Sequence, residues 1–265
     1  VLNKYYGVVL LGMFKNSSLA GIYEISLSLA GSLGLFLSTV SYMFMPVVSE
    51  LYGKEKIFEI RNIYSTSTRW IITALLPVFA VMVIFPDKIL LLMFGAEYVQ
   101  GAQALIIMAS GFMFSVAVGP GEMVLLSTGR IKSYMVASGL MTVLGSLISV
   151  LLIPKYGLVG AATATFAGIV AGNFLVLVLV RIEIGAFPYS IRYLKPLLAV
   201  VLVSLPAFYI KSVFNPGAIG ILASAGGIAI AYGAVLYLVG GFYDEEIQLI
   251  EGVASEVLQL AKSRI

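Results

Sequence analysis

The chain has 265 residues, of which 60% are hydrophobic and only 11% are charged, and its mean hydropathy is +1.05. Soluble domains average about 45–50% apolar and about 25% charged residues, so this composition excludes an ordinary soluble enzyme. It also excludes intrinsic disorder, because disordered chains are poor in apolar residues. Cys and His are absent, which excludes disulfides, thiol catalysis and imidazole proton relays. A scattered net charge of +3 argues against nucleic-acid binding.

Eight apolar segments approach or exceed the length that a helix needs to cross a bilayer core, which is about 20 residues for about 30 Å. They are residues 1–14, 19–48, 70–85, 102–127, 134–153, 158–180, 196–212 and 217–240. Their long unbroken runs lack the period-two alternation of a membrane β-barrel. The sequence therefore predicts an all-α polytopic membrane protein with about eight transmembrane helices.

The first segment is too short to span, since 14 residues at about 1.5 Å each reach only about 21 Å. We therefore expect its helix to begin upstream of Val1 and the chain to be a fragment. The basic residues predict the orientation. Twelve fall on one side of the membrane, namely Lys4, Lys54, Lys56, Arg61, Arg69, Arg130, Lys132, Arg181, Arg192, Lys195, Lys262 and Arg264, and four on the other, namely Lys15, Lys88, Lys155 and Lys211. The positive-inside rule places the larger group and the C-terminus in the cytoplasm.

Two stretches are predicted to lie on the membrane surface instead of crossing it. Residues 54–69 place four large apolar side chains on one helical face, with basic residues elsewhere. Residues 244–264 space apolar side chains at intervals of three and four, beginning with acidic and ending with basic residues, which suits the helix dipole. Either stretch fits an interfacial amphipathic helix, and the acidic tail equally fits a solvated helix packed on the bundle.

Four marks in the chain resemble a known superfamily in their order and spacing. They are residues 21–23 (GIY), 44–51 (FMPVVSEL), 91–98 (LLMFGAEY) and 152–162 (LIPKYGLVGAA). The set is similar to the C-terminal half of the multidrug, oligosaccharidyl-lipid and polysaccharide exporters, and within them to the polysaccharide-type flippases. Such proteins have fourteen spans with both ends in the cytoplasm.

The resemblance implies that the eight segments are spans seven to fourteen. Residues 1–180 would form a six-helix C-terminal lobe, and residues 181–265 would form two accessory helices and the amphipathic tail. The implied partners are membrane lipid and a missing N-terminal lobe of the same protein. The implied function is translocation of a lipid-linked oligosaccharide, or a related polyprenyl-phosphate-linked glycan, across the cytoplasmic membrane by rocking of two lobes. This needs neither a cofactor nor catalytic residues, so the chain is not expected to be an enzyme.

Six polar residues are candidates for the wall of the substrate cavity. They are Lys4, Tyr5 and Tyr6 on the first segment and Glu24, Ser28 and Ser32 on the second. Glu24 heads a polar helical face, although the resemblance leads us to expect a small or neutral residue there. An intramembrane carboxylate costs a few kcal/mol unless it is paired, protonated or hydrated. A lysine suits a pyrophosphate, whereas a carboxylate suits a coupling cation or sugar hydroxyls. Hydroxyl packing between helices is the alternative explanation of this face.

Glu122 is the second intramembrane acid and the candidate for ion coupling. It follows residues 119–121 (GPG), which are predicted to break or kink the helix. Broken helices with a nearby acid recur at ion sites of transporters, although simple hydration near the interface also explains this acid. No metal-binding cluster and no phosphate loop is found in the sequence.

Small residues recur every four positions in the sixth segment, at Gly160, Ala164, Gly168 and Gly172. This spacing predicts close packing between helices, and Asn173 beside them is predicted to make an interhelical hydrogen bond.

Two rival functions stay open at this point. The first is a cation-coupled exporter of drugs or metabolites from the same superfamily. The second belongs to another class, a non-transporting membrane scaffold or an inactive fragment.

Overall fold

The computed structural model describes residues 2–189, 193–214 and 218–238. Within these ranges the regular structure is entirely helical, which confirms the predicted all-α class. The helices are α1 Leu2–Phe14, α2 Ser17–Gly53, α3 Ile57–Ile84, α4 Pro86–Phe94, α5 Ala102–Val118, α6 Gly121–Ser127, α7 Ile131–Glu183, α8 Leu194–Phe214 and α9 Ala218–Leu238. A short 3-10 helix, Ala96–Gly101, joins α4 to α5.

Helix α7 is a hairpin, because the backbone at Gly157 is not helical, with φ 54° and ψ −124°. It therefore has two arms, residues 131–156 and 158–183. By length and apolarity, α2, α3, the stretch Ala96–Val118 and α7 are each able to cross a membrane. When the arms of α7 are counted separately and α1, α8 and α9 are added, the described long helices match the eight predicted segments. The chain is a multi-pass membrane protein.

The small residues of the second α7 arm hold the hairpin together. A Cβ atom at Gly168 would lie 2.7 Å from the Met141 carbonyl oxygen, and one at Gly172 would lie 2.6 Å from the Met141 Cβ. The predicted packing stripe is thus confirmed. The predicted interhelical bond of Asn173 is confirmed as well, because the Ser115 hydroxyl of α5 donates to its side-chain oxygen at 3.1 Å.

Helix α5 packs against α2, α3 and α7, while α8 and α9 pack on each other and on α3. Two groups of contacts fasten α8 and the residue before it, Tyr193, to α3 and the first turn of α4. At one end, the Lys211 ammonium lies 2.8 Å from the Asp87 carboxylate and donates to the Ile84 carbonyl at 2.6 Å. At the other end, the Tyr193 hydroxyl donates to the Ser65 carbonyl at 2.8 Å.

The prediction that residues 54–69 form an interfacial amphipathic helix is wrong. Residues 57–69 belong to the continuous helix α3, and their apolar face is buried inside the protein instead of meeting lipid, since Ile60 and Tyr64 are 0% and 1% exposed. Residues from α2, α6, α7 and the segment after α7 cover this face, among them Val48, Val124, Val180 and Ala186. The predicted amphipathic tail, residues 244–264, lies outside the described residues.

The predicted helix break at residues 119–121 is confirmed, and it shapes the interior of the lobe. Helix α5 ends at Val118, Gly119 has φ 74°, and α6 begins at Gly121. A Cβ atom at Gly119 would overlap the Thr68 hydroxyl of α3, so the approach of the two helices requires glycine. The Tyr64 hydroxyl donates to the Val118 carbonyl at 2.7 Å and so satisfies a carbonyl next to the break.

Substitution of Gly168 tests the α7 hairpin. We expect Gly168→Ala to lower the free energy of unfolding by about 1–3 kcal/mol, because the new methyl group meets backbone that cannot move aside. Gly139→Ala is the matched control on the first arm, where a Cβ atom meets nothing within 4 Å. Thermal unfolding of the purified protein in detergent measures both, and an equal effect of the two substitutions would contradict this packing.

Removal of one hydroxyl group tests the break. We expect Tyr64→Phe to cost about 1–3 kcal/mol of stability, because a buried carbonyl oxygen loses its hydrogen-bond donor. Tyr156→Phe removes the same atom from an exposed side chain and should change stability little. Denaturant unfolding compares the two variants. If Tyr64→Phe unfolds like the control, the hydroxyl does not support the break.

Candidate functional site

A cavity of about 480 Å³ lies among α1, α2, α5, α6 and α7. Its polar lining residues are Tyr6, Ser28, Ser38, Ser115, Glu122 and Thr165. Its apolar walls include Leu27, Leu35, Leu37, Phe112, Met141 and Ile169. The cavity therefore brings together three of the residues that the sequence singles out, one from each of α1, α2 and α6.

Two glycines of α2 allow α5 to form one wall of the cavity. Positions for a Cβ atom at Gly31 and Gly34 lie 3.7 Å and 3.1 Å from the Phe112 ring, so the ring rests almost on the α2 backbone. A larger side chain at Gly34 would push this ring away. The edge of Phe112 and the small residues opposite it set the width of the cavity.

A hydrogen bond joins α2 to the second arm of α7 beside the cavity. The Tyr23 and Thr165 hydroxyl oxygens are 2.6 Å apart, and Tyr6 of α1 lines the cavity together with Thr165. A Cβ atom at Gly145 would overlap the Tyr6 hydroxyl, so the first arm of α7 leaves room for it. Sequence reasoning missed Thr165, because one threonine in an apolar helix carries no periodic signal.

Glu122 occupies the first turn of α6, directly after the break. Its side chain is half-buried and lines the cavity. Tyr134 of α7 lies close enough to interact with its carboxyl group. The break thus ends α5 early and turns an acid toward the interior of the lobe. Tyr134 escaped the sequence analysis because its residue type fits a membrane interface equally well.

Glu24, Ser28 and Ser32 share one exposed face of α2, at intervals of four residues. Only Ser28 also lines the cavity. The Ser32 hydroxyl donates to the Leu29 carbonyl of its own helix at 2.7 Å. Among the described side chains, the Glu24 carboxylate has no ion-pair partner. The side chains of Lys4 and Tyr5 lie outside the described residues, although their backbone belongs to α1.

The described residues contain no group of three or more acidic side chains that could hold a metal ion. The chemistry available at the cavity is therefore that of hydroxyl groups, one carboxyl group and apolar walls. Such a lining can bind and orient a polar group inside an apolar bundle.

The model of the MatE family matches residues 6–151. Over 161 residues the chain is 29% identical to a probable low-salt glycan biosynthesis flippase, Agl15, of Haloferax volcanii, covering 60% of this chain and 34% of the relative. Over 174 residues it is 30% identical to the capsular polysaccharide biosynthesis protein CapF of Staphylococcus aureus, covering 64% and 41%. The chain thus spans well under half the length of these relatives.

A solved structure shares the fold. The lipid II flippase MurJ in an inward closed conformation superposes with a TM-score of 0.60 at 14% identity, covering 88% of this chain and 52% of MurJ. The superposition supports the helical architecture alone. Because the family model matches more than half of the 265 residues, this chain belongs to the MatE family.

Proposed function

We propose that the chain is part of a flippase that moves a lipid-linked oligosaccharide, or a related polyprenyl-phosphate-linked glycan, across the cytoplasmic membrane. The observation that carries the proposal is a cavity with polar residues from several helices inside an apolar bundle. The relatives support it, since two of them are named for glycan flipping and capsular polysaccharide biosynthesis. Known members of such families transport and do not catalyse covalent reactions, so we assign no catalytic residue.

We further propose that residues 1–180 correspond to spans seven to twelve of a fourteen-span protein, and residues 181–265 to two accessory helices and a cytoplasmic tail. The support is that the chain covers 52% of MurJ and 34–41% of two relatives. A second lobe would then face the exposed side of α2. Rocking of the two lobes would open the space between them alternately to each side of the membrane.

In this arrangement the headgroup of the substrate would enter the space between the lobes while the prenyl tail stays in lipid. We propose Glu24, Ser28 and Ser32 as the contacts on the exposed face of α2. Lys4, Tyr5 and Tyr6 are proposed contacts on α1, with the lysine as the cation for a pyrophosphate. We propose Glu122 as the group that couples transport to a cation.

One observation favours a second candidate function, the export of lipophilic cations. The Glu122 carboxyl group shares its cavity with Leu27, Phe112 and Met141, a combination that suits an organic cation. Flipping assays with the full-length protein in proteoliposomes separate the two functions. Translocation of a fluorescent lipid-linked glycan supports the first, and efflux of tetraphenylphosphonium without glycan flipping supports the second.

Glu24→Gln tests the exposed face of α2. We expect glycan translocation to fall by about tenfold or more, because a charged hydrogen-bonding group is lost from the substrate path. Thermal stability should stay unchanged, since the described side chains provide no ion-pair partner that would be left behind. Glu97→Gln, an exposed acid of the 3-10 helix, is the control and should transport normally. Loss of folded protein with normal activity per folded molecule would remove Glu24 from the site.

Cysteine labelling tests the proposed orientation in a chain that has no natural cysteine. Cysteines at Ser17 and Tyr156 should react with an impermeant thiol reagent from outside the cell. Cysteines at Lys54 and Ile131 should react only after permeabilisation, because the positive-inside rule places them in the cytoplasm. All four positions are exposed, so the reagent reaches each of them. The reverse labelling pattern would overturn the orientation.

A further inference from the structure

Two of the three serine hydroxyl groups that line the cavity already donate hydrogen bonds within the protein. The Ser38 hydroxyl donates to the Gly34 carbonyl at 2.9 Å, and the Ser115 hydroxyl donates to the Asn173 side-chain oxygen at 3.1 Å. A hydroxyl group has one proton to donate and two lone pairs that accept. Toward the cavity, these two oxygens therefore act as hydrogen-bond acceptors.

The Tyr23 and Thr165 hydroxyl groups share one hydrogen bond, which uses one of their two protons. Tyr6 and Ser28 add neutral hydroxyl groups to the lining. The Glu122 carboxyl group, when ionised, adds two acceptor oxygens and a negative charge. The described lining residues include neither Lys nor Arg. The cavity thus offers many acceptor oxygens, a few neutral hydroxyl donors and no cationic side chain from the described residues.

This lining favours one part of the proposed substrate, the sugar, over the other, the phosphate. A phosphate group is anionic and offers only acceptors, so here it would lie near the Glu122 carboxylate with only neutral hydroxyl groups as donors and no cation among the described lining residues. A sugar carries several hydroxyl donors, which the serine and carboxylate oxygens can accept. Its apolar ring face can pack on the Phe112 ring beside Gly31 and Gly34. The volume of about 480 Å³ lies within the range of small-molecule sites, roughly 300–1,000 Å³.

We infer that this cavity binds the sugar end of the substrate, with sugar hydroxyls donating to Ser38, Ser115 and Glu122, and that the pyrophosphate binds elsewhere. The inference rests on the proposed function, because it identifies which part of a lipid-linked glycan enters the cavity. It assigns Ser115 and Phe112 a role that the sequence does not indicate.

Protection of a single cysteine in the cavity tests this inference. Gly31→Cys adds a thiol to the cavity wall, and its Cβ atom would lie 3.7 Å from the Phe112 ring, which is an ordinary contact distance. The substitution is made in full-length protein from which any other cysteine has been removed. Four probes are compared: free glycan, inorganic pyrophosphate, sodium chloride and tetraphenylphosphonium. The free glycan is released by mild acid from the lipid-linked glycans of cells that produce them. We expect the glycan to slow the reaction with a thiol reagent, and pyrophosphate and tetraphenylphosphonium to leave it unchanged, with sodium chloride as the control for ionic strength.

Three variants show which groups bind the sugar. We expect Glu122→Gln to raise the half-protecting glycan concentration by about tenfold or more, since a charged acceptor is lost. Ser115→Ala should raise it several-fold. Ser110→Ala is the matched control on α5, because its hydroxyl donates to the Ile106 carbonyl and lies outside the cavity lining. It should leave protection unchanged.

Every other pattern overturns the inference. Protection by pyrophosphate would place the phosphate in the cavity, and protection by sodium or tetraphenylphosphonium without glycan protection would mark a cation site. Absence of protection by any probe would mean that the cavity is not a binding site. Glycan flipping by the same preparation, measured in parallel, separates these results from failure of the proposed function. A protein that flips the glycan but is not protected by it refutes this inference alone.

Discussion

The constraint on which the structure depends is that lipid offers no hydrogen bonds to the backbone, so each carbonyl or amide freed inside the bundle needs a partner from the protein. The Tyr64 hydroxyl meets this requirement at the end of α5, where it donates to Val118. The second interruption, at Gly157, lies at an exposed end of the bundle, where the ammonium of Lys15 from the turn between α1 and α2 donates to the Pro154 carbonyl at 3.0 Å. Each interruption of helical geometry is therefore supported by a side chain from another part of the chain.

The same constraint governs many of the serine and threonine hydroxyl groups in the part of the chain that the structure describes. Ser41, Thr68 and Thr128 each donate to a carbonyl four residues earlier in their own helix. This bond satisfies the hydroxyl proton without a second helix. Because the proton of such a hydroxyl group is already used within its own helix, only the lone pairs of its oxygen remain to accept hydrogen bonds from neighbouring groups. The acceptor-rich character of the cavity follows from this local bonding, combined with the break that turns Glu122 inward.

Much of the fold can be predicted from the sequence, because a lipid solvent imposes length and apolarity on every span. The eight segments, the break at residues 119–121 and the glycine stripe of α7 are read from local patterns, and the structure contains all three. Residues 54–69 show where such reading stops. An apolar helical face has the same residue spacing whether it packs against lipid or against protein. Here the face packs against protein, because α6 and the segment after α7 cover it.

The candidate site is less predictable for a related reason. Intramembrane acids stand out in an apolar sequence, so Glu24 and Glu122 are found, and Tyr6 and Ser28 lie near enough to the expected cavity to be named with them. Phe112, Ser115 and Thr165 resemble their apolar or hydroxyl-bearing neighbours in every local property. Whether these side chains face the cavity depends on the rotation of α5 and α7 about their axes relative to α2. The spacing of residues in one sequence does not reveal that rotation.

The attachment of α8 near both of its ends has a consequence for motion. A helix held by one contact can pivot about it, whereas α8 is held by Lys211 near one end and by Tyr193 just before the other. Helices α8 and α9 would therefore move together with α3 as one rigid body. Bending within the described residues would be concentrated at the glycine interruptions, Gly119 and Gly157, where the helical ladder is already open.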